Sequence, residues 1–232
     1  INKKNNTMPF YHTFSNLPLF QGLTEAELVT IAGNTRLEFK TISAGETVVE
    51  EGNKCEGMHF LLKGTLRVES YSHNHKYHIT ELISHNIVLQ PERMFGLRPL
   101  YTRLFIAESE CRILILKKED IMRLSSDFMV FRINLINIIS AKAQKVEDKL
   151  WFQRSGYLPE EIYSFIELRC IYPAGYKILH IRMKDLANEL NMTRQTLSKR
   201  LKCLQNDGIV SLRRNTIEIP RLEDFYKYIQ HS

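Results

Sequence analysis

Hydrophobic and polar positions follow three different rhythms along this chain. Near the start, Leu17 to Asn34 reads as a short amphipathic helix after a turn at Pro18. Thr24 and Glu27 stand at capping-box spacing ahead of Leu28 and Ile31. From Leu37 to Leu116 the runs shorten and become β-rich: Phe39-x-Thr41-x-Ser43, Glu46 to Val49, His59 to Leu62 and Thr65 to Val68, punctuated by Gly45, Gly52, Gly57 and Gly64. Several short, evenly spaced strands predict a sandwich or barrel.

The third rhythm runs from Lys118 to Trp151, without Gly or Pro. Ile121, Leu124, Phe128, Phe131, Leu135, Ile139, Ala143, Val146 and Leu150 are separated by steps of 3, 4, 3, 4, 4, 4, 3 and 4. That spacing predicts one helix about 50 Å long with a single apolar stripe. A helix longer than a domain core needs a partner along its stripe, and a second copy of the chain is the simplest. Packing entirely on its own barrel is the alternative. A break follows at Gln153 to Pro159, so a second domain is expected from about residue 152.

Composition changes this picture little. The chain has 232 residues, 44% hydrophobic and 25% charged, with 7 Pro and 10 Gly, which excludes a disordered or collagen-like class. The longest aliphatic run, Ile113 to Leu116, is far too short to span a bilayer, and no apolar signal-peptide core is seen, so a cytoplasmic protein without membrane contact is expected. Cys55, Cys111, Cys170 and Cys203 are widely separated and are expected to be reduced and structural. Charge is more informative. From Lys177 to Arg214 nine basic residues face three acidic ones, a net +6 that equals the excess of the whole chain. A local basic field of this kind suits a phosphate backbone.

The same stretch carries a motif. Leu186, Ala187 and Leu190 fall on one face of a first helix, and Leu197, Leu201 and Leu204 on one face of a second. Asn191 tolerates the left-handed turn between them, small Ala187 permits a close crossing, and Thr193 is a good N-cap. Arg194, Gln195, Ser198 and Lys199 are left facing outward. Arg can fork onto guanine O6 and N7, and Gln can pair twice with adenine, as in a major-groove reader. Arg200 and Lys202 suit phosphates or solvent. Ile209 to Leu212, then Arg213-Arg214-Asn215, then Thr216 to Ile219 predicts a hairpin with a basic tip, a wing for the DNA backbone.

With these residues in place, the chain resembles the CRP/FNR family of bacterial transcription regulators. Leu19-Phe20-Gln21-Gly22-Leu23-Thr24 resembles the family's lead-in, Gly45, Gly52 and Gly64 its β-roll turns, and Thr193 to Lys199 its recognition helix. The resemblance implies an α+β fold. A β-roll sensor (a jelly-roll-like double-stranded β-helix) would occupy residues 1–117, a dimerisation helix 118–151 and a winged helix-turn-helix 152–232. It also implies a homodimer on double-stranded DNA, with Phe128, Phe131, Leu135, Ile139 and Val146 at the dimer interface. Thr193, Arg194, Gln195, Ser198, Lys199, Arg200, Arg213 and Arg214 would contact DNA. RNA polymerase is a further partner the resemblance allows, and an unidentified small-molecule effector would sit in the β-roll.

The effector is where the likeness thins. Cyclic-nucleotide binders carry a Gly-Glu pair and a later Arg followed by Ser or Thr. Ile87 to Ile106 has neither, although Arg93, Arg98 and Arg103 are there to meet an anion, which argues against cyclic AMP. No cysteine precedes Cys55, which argues against an iron-sulfur cluster. The sensor half is rich in histidine: His59, His73, His75, His78 and His85. On a strand His73 and His75 would share a face, making them candidates for haem or another metal, against the plainer reading of an exposed polar hairpin. The rival class is a cupin-like metal enzyme using His73, His75 and Glu81. Its usual glycine is replaced by Arg67, five residues separate His75 from Glu81, and no other catalytic motif is present, so the chain is not expected to be an enzyme.

Overall fold

A computed structural model describes residues 14–84, 86–150 and 157–231. The strands are β1 (Glu38–Ile42), β2 (Thr47–Val49), β3 (Gly57–Lys63), β4 (Leu66–Tyr71), β5 (His78–Ile83), β6 (Ile87–Val88), β7 (Leu104–Ala107), β8 (Cys111–Lys117), β9 (Lys177–His180), β10 (Ser211–Arg213) and β11 (Thr216–Ile219). The helices are α1 (Glu25–Asn34), α2 (Lys118–Asp127), α3 (Met129–Leu150), α4 (Leu158–Glu167), α5 (Met183–Glu189), α6 (Arg194–Asn206) and α7 (Leu222–Gln230). The chain divides into two compact units. One comprises Ile1–Thr65, Ser84–Thr102 and Ile106–Leu150, the other Leu66–Ile83, Arg103–Phe105 and Trp151–Ser232.

In the first unit the expected capping box forms: the Glu27 amide donates to Thr24 Oγ1 at 3.3 Å and the Thr24 amide to Glu27 Oε2 at 2.8 Å. The helix therefore begins at Glu25 rather than Leu17. Leu17, Leu19 and Phe20 lie in tight turns before it, with no exposure. A four-stranded antiparallel sheet, ordered β1-β8-β3-β6, supplies the other side of the core. Phe20 is the hub, with edge-on rings at 5.0 Å (Phe14), 5.9 Å (Phe60) and 5.2 Å (Phe131).

The single helix expected over 118–151 is two helices, bent by 118° at Phe128. Phe128 is extended (φ −122°, ψ 105°). Its N–H closes α2 on the Leu124 carbonyl at 2.9 Å, and its carbonyl opens α3 by accepting from Arg132 N at 3.1 Å. The break turns the apolar stripe. Phe131 (0% exposed) and Leu135 (7%) are buried within the chain's own fold, Phe128 and Ile139 are half-buried, and the large apolar residues exposed on α3 are Met129 (64%), Ile133 (47%), Ile136 (54%) and Val146 (63%). Phe131 and Leu135 are thus core residues rather than dimer contacts. Trp151 lies outside the described residues.

The second unit is built on an antiparallel sheet in which β10, β11, β9, β5 and β4 are successive neighbours. The β4–β5 hairpin falls inside the stretch expected to be the sensor, yet it is part of this compact unit. The reason is a ladder: His78, Ile79, Thr80 and Glu81 of β5 pair with His180, Leu179, Ile178 and Lys177 of β9. Ile79 joins Ile162, Phe165, Leu179, Leu186, Leu197, Leu201, Ile217 and Phe225 in one core. Glu81 and Lys177, both with no exposure, meet at 3.0 Å. Glu81 also accepts from Ile171 N (2.7 Å) and Tyr172 N (3.3 Å), and lies 3.9 Å from Arg103.

Candidate nucleic-acid interface

The turn between α5 and α6 forms as its residues dictate. Asn191 is left-handed (φ 50°), and Met192 N returns to the Ala187 carbonyl at 2.9 Å. Thr193 caps α6: Thr196 N donates to its Oγ1 at 3.2 Å, and the two hydroxyls are 2.9 Å apart. Leu197, Leu201 and Leu204, at most 1% exposed, fasten α6 over buried Leu186 and Ala187. At about 100° per residue, Gln195, Lys199 and Lys202 point directly away from that buried stripe. All three are exposed, as are Arg194 and Arg200 on the flanks, whereas Ser198 is half-buried. Lys202, read from sequence only as a phosphate or solvent group, stands on the outward face beside Gln195 and Lys199.

The basic field is narrower than the sequence count. Lys177 is buried against Glu81, Arg182 Nε lies 2.6 Å from Asp185 and Arg213 Nε 3.2 Å from Glu218. Lys184, Arg194, Lys199, Arg200, Lys202 and Arg214 are exposed and have no ion pair among the described residues. The hairpin β10–β11 forms as expected. Arg214 is exposed at its tip, left-handed Asn215 (φ 57°) makes the turn, and Arg213 lies along the strand in its ion pair with Glu218. Cys203 is exposed on α6, unlike the other three cysteines, which are buried.

On the sensor side the three arginines have separate fates. Arg98 is exposed, Arg93 is half-buried beside a 3-10 turn over Pro91–Arg93, and Arg103 donates to the Arg169 carbonyl at 3.1 Å. Within the first unit His59 Nδ1 lies 3.0 Å from the Tyr101 hydroxyl, which donates to the Gly57 carbonyl at 2.9 Å. Burial, aided by Lys40, pushes the His59 imidazole down to about 4, and burial raises the Tyr101 phenol. His73 and His75 do not lie on a strand: β4 ends at Tyr71, β5 begins at His78, and His75 is left-handed (φ 52°) in the turn. The shared-face argument for haem or metal therefore does not hold. Nor does the cupin reading, since Glu81 is committed to Lys177 and two backbone amides. His85 lies outside the described residues, and among the described residues no three His, Cys, Asp or Glu side chains are grouped as metal ligands. Sequence reasoning missed His180, which stacks on His78 with ring centroids 4.2 Å apart. No local pattern announces that pair.

Fold and interface define a helix-turn-helix transcription regulator with a sensor of the cyclic-nucleotide-binding type. The comparisons agree. Residues 39–127 match the cyclic nucleotide-binding domain and residues 163–228 the Crp-like helix-turn-helix domain. The fold is shared with the catabolite activator protein of Thermus thermophilus (18% identity over 90% of this chain and 97% of that one, TM-score 0.51). It is also shared with the sensor domain of the transcriptional regulator DNR from Pseudomonas aeruginosa (13% identity, 64% and 97% coverage, TM-score 0.52). Among curated protein sequences none matches. The chain belongs to the CRP/FNR family of transcriptional regulators. Among the described residues no single helix is long and apolar enough to cross a membrane.

Proposed function

We propose that the protein acts in the cytoplasm as a homodimer that reads a near-palindromic duplex, one α6 in each of two major grooves about 34 Å apart. The observation that carries this reading is the outward face of α6, where Gln195, Lys199 and Lys202 stand opposite a fully buried leucine stripe beneath a capped N-terminus. Arg194 and Gln195 read base edges, Lys199 and Lys202 meet bases or adjoining phosphates, and Thr193, Ser198 and Arg200 border the contact. In the wing Arg214 is the primary phosphate contact, since Arg213 must first release Glu218.

The dimer face is formed by exposed Met129, Ile133 and Ile136 along one side of α3, with exposed Val146 and half-buried Ile139 along the adjoining side. Four large apolar side chains along one helix are what a second copy buries. A small-molecule effector in the sensor would shift the population between two dimer geometries and so re-aim the α6 helices. Selection of bound duplexes from a random pool tests the reading. Arg194→Ala should then cost about 1–3 kcal/mol on the selected site and relax preference at one base. Equal weakening on all sequences would reassign Arg194 to a phosphate, and recovery of no duplex would overturn the proposal.

A further inference from the structure

The sheet of the C-terminal unit carries a second turn to the end where the wing lies. Register fixes this: Tyr71 pairs with His78, His78 with His180, His180 with Thr216 and Thr216 with Arg213. That row crosses β4, β5, β9, β11 and β10. Beyond it the chain turns back at Arg214 and Asn215 on one side and at Ser72 to Tyr77 on the other. Both hairpins therefore leave the sheet at the same end, fanned apart by its twist of about 20–25° per strand spacing. Their turns are three strand spacings apart, roughly 14 Å at about 4.8 Å per strand. On duplex DNA that is about four base-pair steps at ~3.4 Å each.

The tip is charged, polar and held in shape. His73, Asn74, His75 and Lys76 are exposed, and Lys76 has no ion pair among the described residues. Behind it, Glu69 is engaged by the Tyr71 hydroxyl (2.5 Å) and Arg67 (3.7 Å), which offsets its charge. Ser72 N donates to the Tyr77 carbonyl at 3.0 Å, His75 N to the Ser72 carbonyl at 2.8 Å and Lys76 N to Asn74 Oδ1 at 3.2 Å. Tyr71, His78 and His180 stack across three strands at 5.0 Å and 4.2 Å, and at the far end of β5 the buried Glu81–Lys177 pair fixes the hairpin to β9. A rigid cationic turn at the same end of the sheet as the wing is pre-organised for the same ligand.

We propose that the turn Ser72–Tyr77 is a second wing, a contact for backbone phosphates of duplex DNA. Lys76 supplies the charge, and the imidazole N–H groups of His73 and His75 supply donors. The inference rests on the reading that α6 and Arg214 meet DNA. It adds a sequence-independent contact from a hairpin that lies within the matched sensor domain.

The test is fluorescence anisotropy of the full chain on a pool-selected duplex and on its scrambled counterpart, between 50 and 200 mM KCl. Each phosphate contact contributes about 0.9 to the slope of log K against log salt. Lys76→Gln should lower that slope by roughly one contact and weaken both duplexes by a similar factor. Arg214→Gln, the wing control, should do the same. If wild type binds and Lys76→Gln leaves the slope unchanged, the second wing is overturned, whatever Arg214→Gln does. If wild type binds neither duplex, the DNA-binding reading itself has failed. Loss of binding with a changed circular-dichroism spectrum is resolved by His73→Gln/His75→Gln, which leaves the Ser72–Asn74 bonds in place and should weaken both duplexes alike; unchanged affinity in that variant overturns the proposal.

Discussion

Replacing Glu81 by leucine should be far more damaging than replacing its partner Lys177 by methionine, and the structure says why. Glu81 accepts hydrogen bonds from two backbone amides, Ile171 N at 2.7 Å and Tyr172 N at 3.3 Å, and forms ion pairs with Lys177 Nζ at 3.0 Å and, more distantly, Arg103 at 3.9 Å. Glu81→Leu strands an ammonium with no exposure, which costs about 3–5 kcal/mol. It also removes the acceptor of two backbone amides, each worth about 1–3 kcal/mol when buried and unsatisfied. Even with relaxation the total is on the order of 5 kcal/mol, a large share of a typical domain's stability. Lys177→Met leaves the carboxylate with both amides and Arg103, so its cost should be about 2 kcal/mol. The double variant removes the stranded ammonium and should be more stable than Glu81→Leu alone, a favourable coupling of 1 kcal/mol or more by the usual size for contacting pairs. Urea unfolding of the full chain, followed by circular dichroism, reads all three as midpoint shifts. With a slope near 3 kcal/mol/M, Glu81→Leu should move the midpoint by roughly 1.5 M. Equal costs for the two single variants, or a cost below about 1 kcal/mol for Glu81→Leu, would refute the assignment of this pair as the fastening between β5 and β9.

Three further outcomes follow from the same structure. Ile133→Asp/Ile136→Asp should sediment as a folded monomer, whereas Phe131→Asp, a charge placed at a site with no exposure, should lose the fold at a cost above about 4 kcal/mol; a dimeric Ile133→Asp/Ile136→Asp protein would rule out the α3 face. His59, held near 4 when folded against an ordinary 6.5, binds its proton better in the unfolded chain. Its contribution is complete above about pH 6.5 and is lost as pH falls toward 4, up to about 3 kcal/mol, so His59→Gln should flatten the pH dependence of the urea midpoint across that window. Gly64 has φ +100°, and an added Cβ would strike the Glu110 carbonyl and stand 2.8 Å from Cys111 Sγ. Gly64→Ala should therefore lower stability by at least about 2 kcal/mol in a thermal melt, and an unchanged melting temperature would contradict the closeness of that turn.

What the sequence alone determined is what neighbouring residues decide among themselves. The Thr24–Glu27 box, the Thr193 cap, left-handed Asn191 and the leucine stripe of α6 are written within four or five residues, so backbone sterics and helical periodicity suffice to place them. Three features depended on tertiary packing. The helix break at Phe128 turned part of the apolar stripe inward, where Phe131 packs on Phe20 and Leu135 is buried, and left Ile133 and Ile136, which lie off that stripe, exposed. The turn at His73 and His75 put them off any strand, since β4 and β5 stop pairing at Tyr71 and His78, where the β5–β9 ladder also ends. Lys177, counted in the basic field, is buried because its strand lies against Glu81, a partner far away in the chain. Periodicity records how a segment prefers to fold and which side it hides. Which partner covers that side is settled only when distant segments compete for the same buried surface, and no short stretch of residues contains the outcome.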